Sequence, residues 1–217
     1  MSNKSEQSID HQADGDLFVI AAPSGGGKTS LVNALLENDP RLVLSISHTT
    51  RQPRPGEQDG KHYHFIPEEE FRQMIGRGDF MEHARVFDHC YGSNRDAVAN
   101  QLAQDRDVIL EIDWQGARQV RTAFPDCCAI FILPPSLATL RKRLTGRGQD
   151  SDDVIQRRTL DAQTEISHWA EFDQLVVNDN FDAALEELAA IINDHRMQKP
   201  HKINKQHQHL AQQLGNG

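Results

Sequence analysis

The 217-residue chain has only three cysteines, two tryptophans and two tyrosines, no long apolar run and no excess of positive charge, and these shortages close several classes of function. Cys90, Cys127 and Cys128 show no C-x-x-C spacing and leave one thiol over in any pairing. That argues against a disulfide framework or a zinc site, and for a reducing, cytoplasmic compartment. The longest apolar stretches are too short to cross a bilayer, so no membrane association is expected. Against 32 acidic residues stand 23 basic ones, a formal charge of −9. Such a chain lacks the electrostatic footprint of a nucleic-acid binder, and any anion site must be built locally. Met1 to Gly15 is polar, lacks the apolar core of a signal peptide, and reads as a disordered leader. The length suits one domain with inserted subregions.

What is present begins with a glycine-rich stretch. Ala22, Pro23, Ser24, Gly25, Gly26, Gly27, Lys28 and Thr29 follow a short apolar strand pattern, Leu17 to Ala21, and precede Leu31, Val32, Leu35 and Leu36 at helical spacing. Strand, glycine loop, then helix is the context of a phosphate-binding loop. Glycines let backbone N–H groups turn inward on an anion, and the helix N-terminus adds partial positive charge. Lys28 then reaches the β and γ phosphates of a nucleotide, and the Thr29 hydroxyl ligates Mg²⁺. The usual pattern opens with Gly; Ala22 stands there instead, so that position needs no positive φ.

Further along, Leu42 to Ser47 and Lys61 to Ile66 read as strands, Pro67 opens a helix whose apolar face is Phe71, Met74 and Ile75, and Phe80 to Phe87 reads as a strand. Tyr91-Gly92-Ser93 reads as a turn and Asn94 to Gln104 as a helix. Val108 to Ile112 and Cys128 to Leu133 suit buried parallel strands, joined by a crossover helix over Ala117 to Phe124. Ser136 caps a basic helix, Thr145 to Gly148 is a hinge-like break, and a charged helix runs from about Ser151 to His168. A strand at Gln174 to Val177 and a helix at Asp182 to Asp194 complete an alternating pattern. This predicts an α/β fold with a parallel sheet covered by helices on both faces. The tail from Arg196 to Gly217, rich in Lys, Gln and His, is expected to be disordered.

A second cluster joins Arg51 and Arg54 on a segment stiffened by Pro53 and Pro55, followed by Tyr63. Two arginines three apart make a fork for a phosphate monoester, to which Tyr63 and Tyr91 can donate O–H groups. Alone, such a loop is an ordinary solvated surface feature. Beside a phosphate loop it gives the layout of a phosphotransferase with two anionic substrates. An acceptor phosphate oxygen is already ionised near neutral pH, so catalysis rests on alignment and charge neutralisation rather than on a strong base. Arg143, Arg147 and Arg158, flanking the Gly146/Gly148 break, can swing over the transferring group, although alone they read as a solvent-facing basic helix. Glu111 and Asp113, two apart on a strand pattern, share a face, and one or both orient Mg²⁺.

Together these residues resemble the guanylate kinase family. The resemblance rests on A-P-S-G-G-G-K-T at 22 to 29, S-H-T-T-R-Q-P-R-P-G-E at 47 to 57, D-G-K-H-Y-H-F at 59 to 65 and F-M-E-H-A at 80 to 84. It continues with Y-G-S at 91 to 93, I-L-E-I-D-W-Q-G at 109 to 116, L-T-G-R-G at 144 to 148 and V-N-D at 177 to 179, all in family order. The resemblance implies transfer of the γ-phosphoryl group of ATP to GMP and dGMP, with Mg²⁺, in purine nucleotide metabolism. It implies a P-loop NTPase-type core from 16 to 195, with a small mixed α/β GMP-binding insertion at about 47–96 and a helical lid at about 136–167. Arg51, Arg54, Tyr63 and Tyr91 fall where the family holds the GMP phosphate. Ser47, Glu82, Ser93 and Asp113 fall where it contacts guanine, and Asn178 where it approaches the adenine of ATP. Two other readings share parts of this pattern. A binding module that has lost catalysis should lack Lys28 or Thr29, and a kinase of phosphorylated sugars has no use for Glu82.

Overall fold

The computed structural model describes residues 15–86, 88–145 and 152–215, with the side chains of 152–155 left undescribed. Its larger sheet is built from β1 (Leu17–Ala21), β2 (Leu42–Leu44), β7 (Asp107–Glu111), β8 (Cys128–Leu133) and β9 (Gln174–Val177). All pairs are parallel, in the order β2-β7-β1-β8-β9. The continuous apolar runs noted in the sequence are what a strand covered on both sides requires. Side chains alternate across it: Leu17, Val19 and Ala21 enter one core layer, Phe18 and Ile20 the other. The first layer is closed by α3 (Arg95–Leu102), α4 (Trp114–Ala123) and, after α5 (Leu137–Thr145), α6 (Asp152–Ser167). The second is closed by α1 (Lys28–Asn38) and α7 (Phe181–Arg196), through Leu31, Leu35, Leu188 and Ile192. Sequence and structure agree here on the alternating α/β pattern and the parallel sheet.

Arg196, in the last turn of α7, ties the lower end of this sheet together. It meets Asp107, fully buried at the start of β7, at 2.6 Å and Asp39, just after α1, at 2.6 Å. A buried carboxylate is costly unless paired, and here the pairing partner also fixes two helix ends relative to the strand.

A second, smaller sheet spans 48–94 in the order β4-β3-β6-β5, from β3 (His48–Thr49), β4 (His64–Phe65), β5 (Phe80–Val86) and β6 (His89–Asn94). The strand expected at Leu42 to Ser47 is shorter than its pattern because the chain leaves the first sheet at Ser45 to enter the second, and the one expected at Lys61 to Ile66 is reduced to His64–Phe65. The expected turn at Tyr91 to Ser93 is instead part of β6. Gly92 is there for close approach, since a Cβ would meet Phe80 ring carbons at 2.9 to 3.1 Å. Helix α2 (Glu68–Arg77) starts after Pro67 with three glutamates in its first turn, as its dipole favours. It buries Phe71 and Met74, but Ile75 is 39% exposed, one position off the buried stripe.

The tail departs most from expectation. Lys205–Gly215 forms α8, which lies on α6 and buries Ala211 and Leu214 beside Ile166 and Phe172. Polar composition hid a narrow apolar stripe, Leu210, Ala211 and Leu214, too short to stand out yet enough to fill a core edge. The leader expected over Met1 to Gly15 lies outside the described residues except for Gly15, whose N–H donates to the Leu102 carbonyl at 2.9 Å. Leu214→Ala should therefore cost about 2 kcal/mol, lowering Tm by about 5 °C. Thermal unfolding monitored by circular dichroism would read this, and an unchanged Tm would mean that α8 contributes no packing.

Candidate active site

The glycine loop leaves the carboxyl end of β1, the central strand, and delivers the chain into α1. Gly25 and Gly27 have φ of 86° and 90°, while Ala22 is not among the positive-φ residues, as its side chain demands. Gly27 caps α1 without any side-chain hydrogen bond, so the first N–H groups of the helix face the loop. Lys28 Nζ donates to the Ile112 carbonyl at 2.8 Å, and Thr29 Oγ1 donates to Glu111 at 2.5 Å. Both contacts exist because β7 is the neighbour of β1 and ends level with it, Ile20 opposite Glu111.

Asp113 lies beyond the strand, although it lines the same cleft as Glu111. The strand ends at Glu111, and Asp113 caps α4, its carboxylate accepting from Gly116 N–H at 2.9 Å and from Gln115 Nε2 at 3.0 Å. The N-cap preference of aspartate outweighs the strand periodicity that suggested two carboxylates side by side. Asn178 is likewise engaged by the loop. Its Nδ2 donates to the Gly26 carbonyl at 2.9 Å, and Arg143 donates to the Asn178 carbonyl at 2.8 Å. Arg143 thus supports the loop through Asn178. Arg147, with Gly146 and Gly148, lies outside the described residues.

On the other side of the cleft stands Glu82, 3% exposed on β5. The β5–β6 register shifts between Phe80 and Glu82, so Met81 is an extra residue and both it and Glu82 turn inward. Ser93 Oγ donates to Glu82 Oε1 at 2.7 Å. Burial pushes the Glu82 carboxyl up to about 7, against the pull of the Ser93 hydrogen bond, with Asp113 adding to the rise. Ser47, Tyr63 and Tyr91 line the same cavity, Tyr63 and Tyr91 in edge contact with ring centroids 5.9 Å apart. Burial raises the Tyr63 hydroxyl to about 12, keeping it a donor at neutral pH.

The arginine pair is not closed into a fork. Arg51 makes a bidentate pair with Glu57, both bonds 2.9 Å, and sits over the Tyr63 ring with 5.4 Å to its centroid. The Arg54 N–H donates to the same carboxylate at 2.7 Å, while its side chain is exposed. Glu57 thus sits where two cationic or N–H donors converge, and Arg51 in turn holds the Glu57 carboxyl below its ordinary range.

Helix α6 supplies a residue that motif reading missed. Arg158 Nη2 donates to the Ser24 hydroxyl at 2.8 Å, and Glu165 accepts the Ser24 backbone N–H at 2.9 Å. Two turns apart, the two side chains lie on one helix face and hold one loop residue between them. Burial raises the Glu165 carboxyl to about 7. The available signal was the spacing of seven from Arg158, a single stripe on an amphipathic helix.

One cavity of ≈ 280 Å³ is lined by Ala22 to Ser30 on one wall and by Ser47, Tyr63, Glu82, Ala84, Val86 and Tyr91 on the other, with Glu111, Ile112, Asp113 and Glu165 between them. Arg51, Arg54, Ser93, Arg143, Arg158 and Asn178 do not line it. Arg51 reaches it through Tyr63, and Ser93, Arg143, Arg158 and Asn178 each touch a lining residue or one that does. A phosphate loop at the carboxyl ends of a parallel sheet, facing a second polar subsite, defines a P-loop phosphotransferase.

The guanylate kinase family model matches residues 14–195. A guanylate kinase of Alkalilimnicola ehrlichii is 54% identical over 200 residues, 92% of this chain and 97% of that protein. One from Nitrosococcus oceani is 58% identical over 183 residues, covering 84% and 90% respectively. The crystal structure of guanylate kinase from Anaplasma phagocytophilum aligns with a TM-score of 0.73 at 32% identity, covering 86% of this chain and 88% of that one. The chain belongs to the guanylate kinase family.

The buried Glu82 makes stability fall as pH rises. Below its ordinary value of 4.5 the folded and unfolded states are both protonated; above it the unfolded chain gives up a proton that the fold retains until about 7. The stabilisation is present below the unfolded value and lost through the folded one. Tm should drop by about 3 °C more between pH 6 and pH 8 in the parent than in Glu82→Gln, whose amide mimics the neutral acid. Parallel curves would rule out a proton held on Glu82 by burial.

Proposed function

We propose that this cleft transfers the γ-phosphoryl group of ATP to GMP or dGMP, giving ADP and the guanine nucleoside diphosphate. The observation that carries the reading is the single cavity with the phosphate loop on one wall and the carboxylate of Glu82 on the other. The guanine edge presents N1–H and an exocyclic amine side by side, and an ionised Glu82 accepts both. Those two donors favour the charged form, so the base draws off the proton that burial holds there. Adenine offers a lone pair at N1 instead and leaves the carboxylate unpaired, which is how the site rejects AMP. Ser93 fixes the carboxylate from behind, and Ser47 lines the same wall. Asp113, held as the cap of α4, presents its carboxylate edge to the cleft from a rigid position.

The acceptor phosphate meets Tyr63 and Tyr91, with the Arg51 guanidinium exchanging the Glu57 carboxylate for the incoming anion and the exposed Arg54 side chain joining it. Glu57 therefore keeps a guanidinium in readiness at little electrostatic cost. On the donor side, the N–H groups of residues 25–29 cradle the phosphates and Lys28 leaves the Ile112 carbonyl for them. Arg143, Arg147 and Arg158, on the lid we place at about 136–167, neutralise the charge that spreads over the transferring group. Asn178 serves ATP by holding the loop carbonyl at Gly26. The Thr29 hydroxyl and the Glu111 carboxylate are hard oxygen donors already in contact, which fits Mg²⁺, and they are the residues that would hold it. When bound, the ion supplies charge neutralisation on the donor phosphates. Free thiols at Cys90, Cys127 and Cys128 fit the reducing cytoplasm, where we place the reaction.

A coupled assay of ADP release from ATP should respond to GMP and respond at least about a hundredfold less, in kcat/KM, to AMP, CMP or UMP. Glu82→Gln should lose most of that preference; equal discrimination by the variant would remove Glu82 from guanine recognition. Lys28→Ala should cut kcat by about a thousandfold while GMP binding, followed by calorimetry, stays within about threefold. A parallel loss of GMP affinity would place the lysine on the wrong substrate.

A further inference from the structure

Gly116 occupies the first turn of α4, a position where alanine would serve the helix better. The reason for glycine is outside the helix. A Cβ on Gly116 would fall inside contact distance of Glu82 Oε2 and stand 3.1 Å from Glu82 Cδ and 3.3 Å from Ile112 Cδ1. The helix has no room to withdraw. One turn on, Gln119 clasps β5, its Oε1 accepting from the His83 N–H at 3.2 Å and its Nε2 donating to the His83 carbonyl at 2.8 Å. His83 follows Glu82 directly, so the clasp sets the spacing of helix and strand beside the carboxylate itself. The Gly116 N–H is also held, at 2.9 Å, by the Asp113 cap. With both backbones pinned, the part that must yield to a methyl group is the carboxylate.

We propose that Gly116 is a specificity-determining positioning residue, whose missing side chain is the slot that lets the Glu82 carboxylate face the cleft while bonded to Ser93. The inference rests on the reading of Glu82 as the guanine contact. A methyl at 116 turns the carboxylate away from Ser93 or from the purine edge, and an acceptor pair is lost from a buried site.

Steady-state kinetics of Gly116→Ala test this. KM for GMP should rise about tenfold or more and the preference for GMP over AMP should shrink, while KM for ATP stays within about twofold and Tm is unchanged or higher. A purely structural role would instead lower Tm and shift both substrates. Unchanged GMP kinetics in the folded variant overturn the proposal. Glu82→Asp withdraws the carboxylate by one methylene, so adding Gly116→Ala to it should change KM for GMP by less than about threefold. A repeated tenfold loss there would mean that the methyl displaces something else. Should Gly116→Ala not fold, Glu82→Ala/Gly116→Ala should still fold like Glu82→Ala, because the obstacle is gone; its failure to fold overturns the proposal. Glu82→Ala alone separates the two claims. If it keeps the GMP preference, the guanine-reading role falls and this inference with it; if it loses the preference while Gly116→Ala keeps it, only the role of Gly116 falls.

Discussion

Parallel pairing of β1 with β7 places Ile20 opposite Glu111, and the polar contacts at the head of the sheet follow from that register. It brings Thr29 against Glu111 and Lys28 against the Ile112 carbonyl, and it starts α4 where Asp113 can cap it. A slip of one residue would invert every side chain of β7 and put Glu111 in the core. Such a slip is opposed at the two ends of β7, where Asp107 would lose Arg196 and the Asp16 N–H and Glu111 would lose Thr29, so the chemistry inherits its precision from these polar anchors.

An acidic chain that receives anions must manage its own carboxylates, and this one does so in two ways. Some are matched to arginines: Glu57 to Arg51, Asp39 and Asp107 to Arg196. Others, the buried Glu82 and the partly buried Glu165, stand beside the cleft and hold their protons above the ordinary range. The first kind presets a cation for exchange. The second keeps negative charge out of the site until a donor arrives to stabilise it. Arg158 and Glu165 lie on one helix face with Ser24 between them, so the position of α6 and the shape of the phosphate loop are set together.

Much of this was legible from residue order. The buried strands at Cys128–Leu133 and Gln174–Val177 match their patterns, since an apolar run between turn signals has little else to become. The phosphate loop was equally visible, carried by a local motif, whereas Glu82 stood out only through the family resemblance. What the sequence concealed depends on competition between local preferences and on distant partners. Asp113 is as good a cap as a strand residue, and the cap prevailed. Glu57 was legible as an acid but not as the partner of Arg51, because nothing in the spacing says which of several charges closes a loop. Glu165 needed knowledge that α6 crosses the phosphate loop. The short stripe of α8 acquires meaning only against α6, and Gly116 only against a carboxylate on another element.

The order of strands also bears on how the molecule is made. Asp16, just before the central strand, is joined to Asp107 across a separation of 91 residues, and the other neighbour of β1 comes later still. During synthesis Leu17–Ala21, apolar on both sides, must wait without a partner until half the chain has emerged, while the smaller 48–94 sheet can assemble from nearby segments. Long-range parallel pairing of this kind is slow and exposes strand edges meanwhile. The same strand that anchors the nucleotide loop is thus the segment most exposed to aggregation before the ribosome has delivered its neighbours.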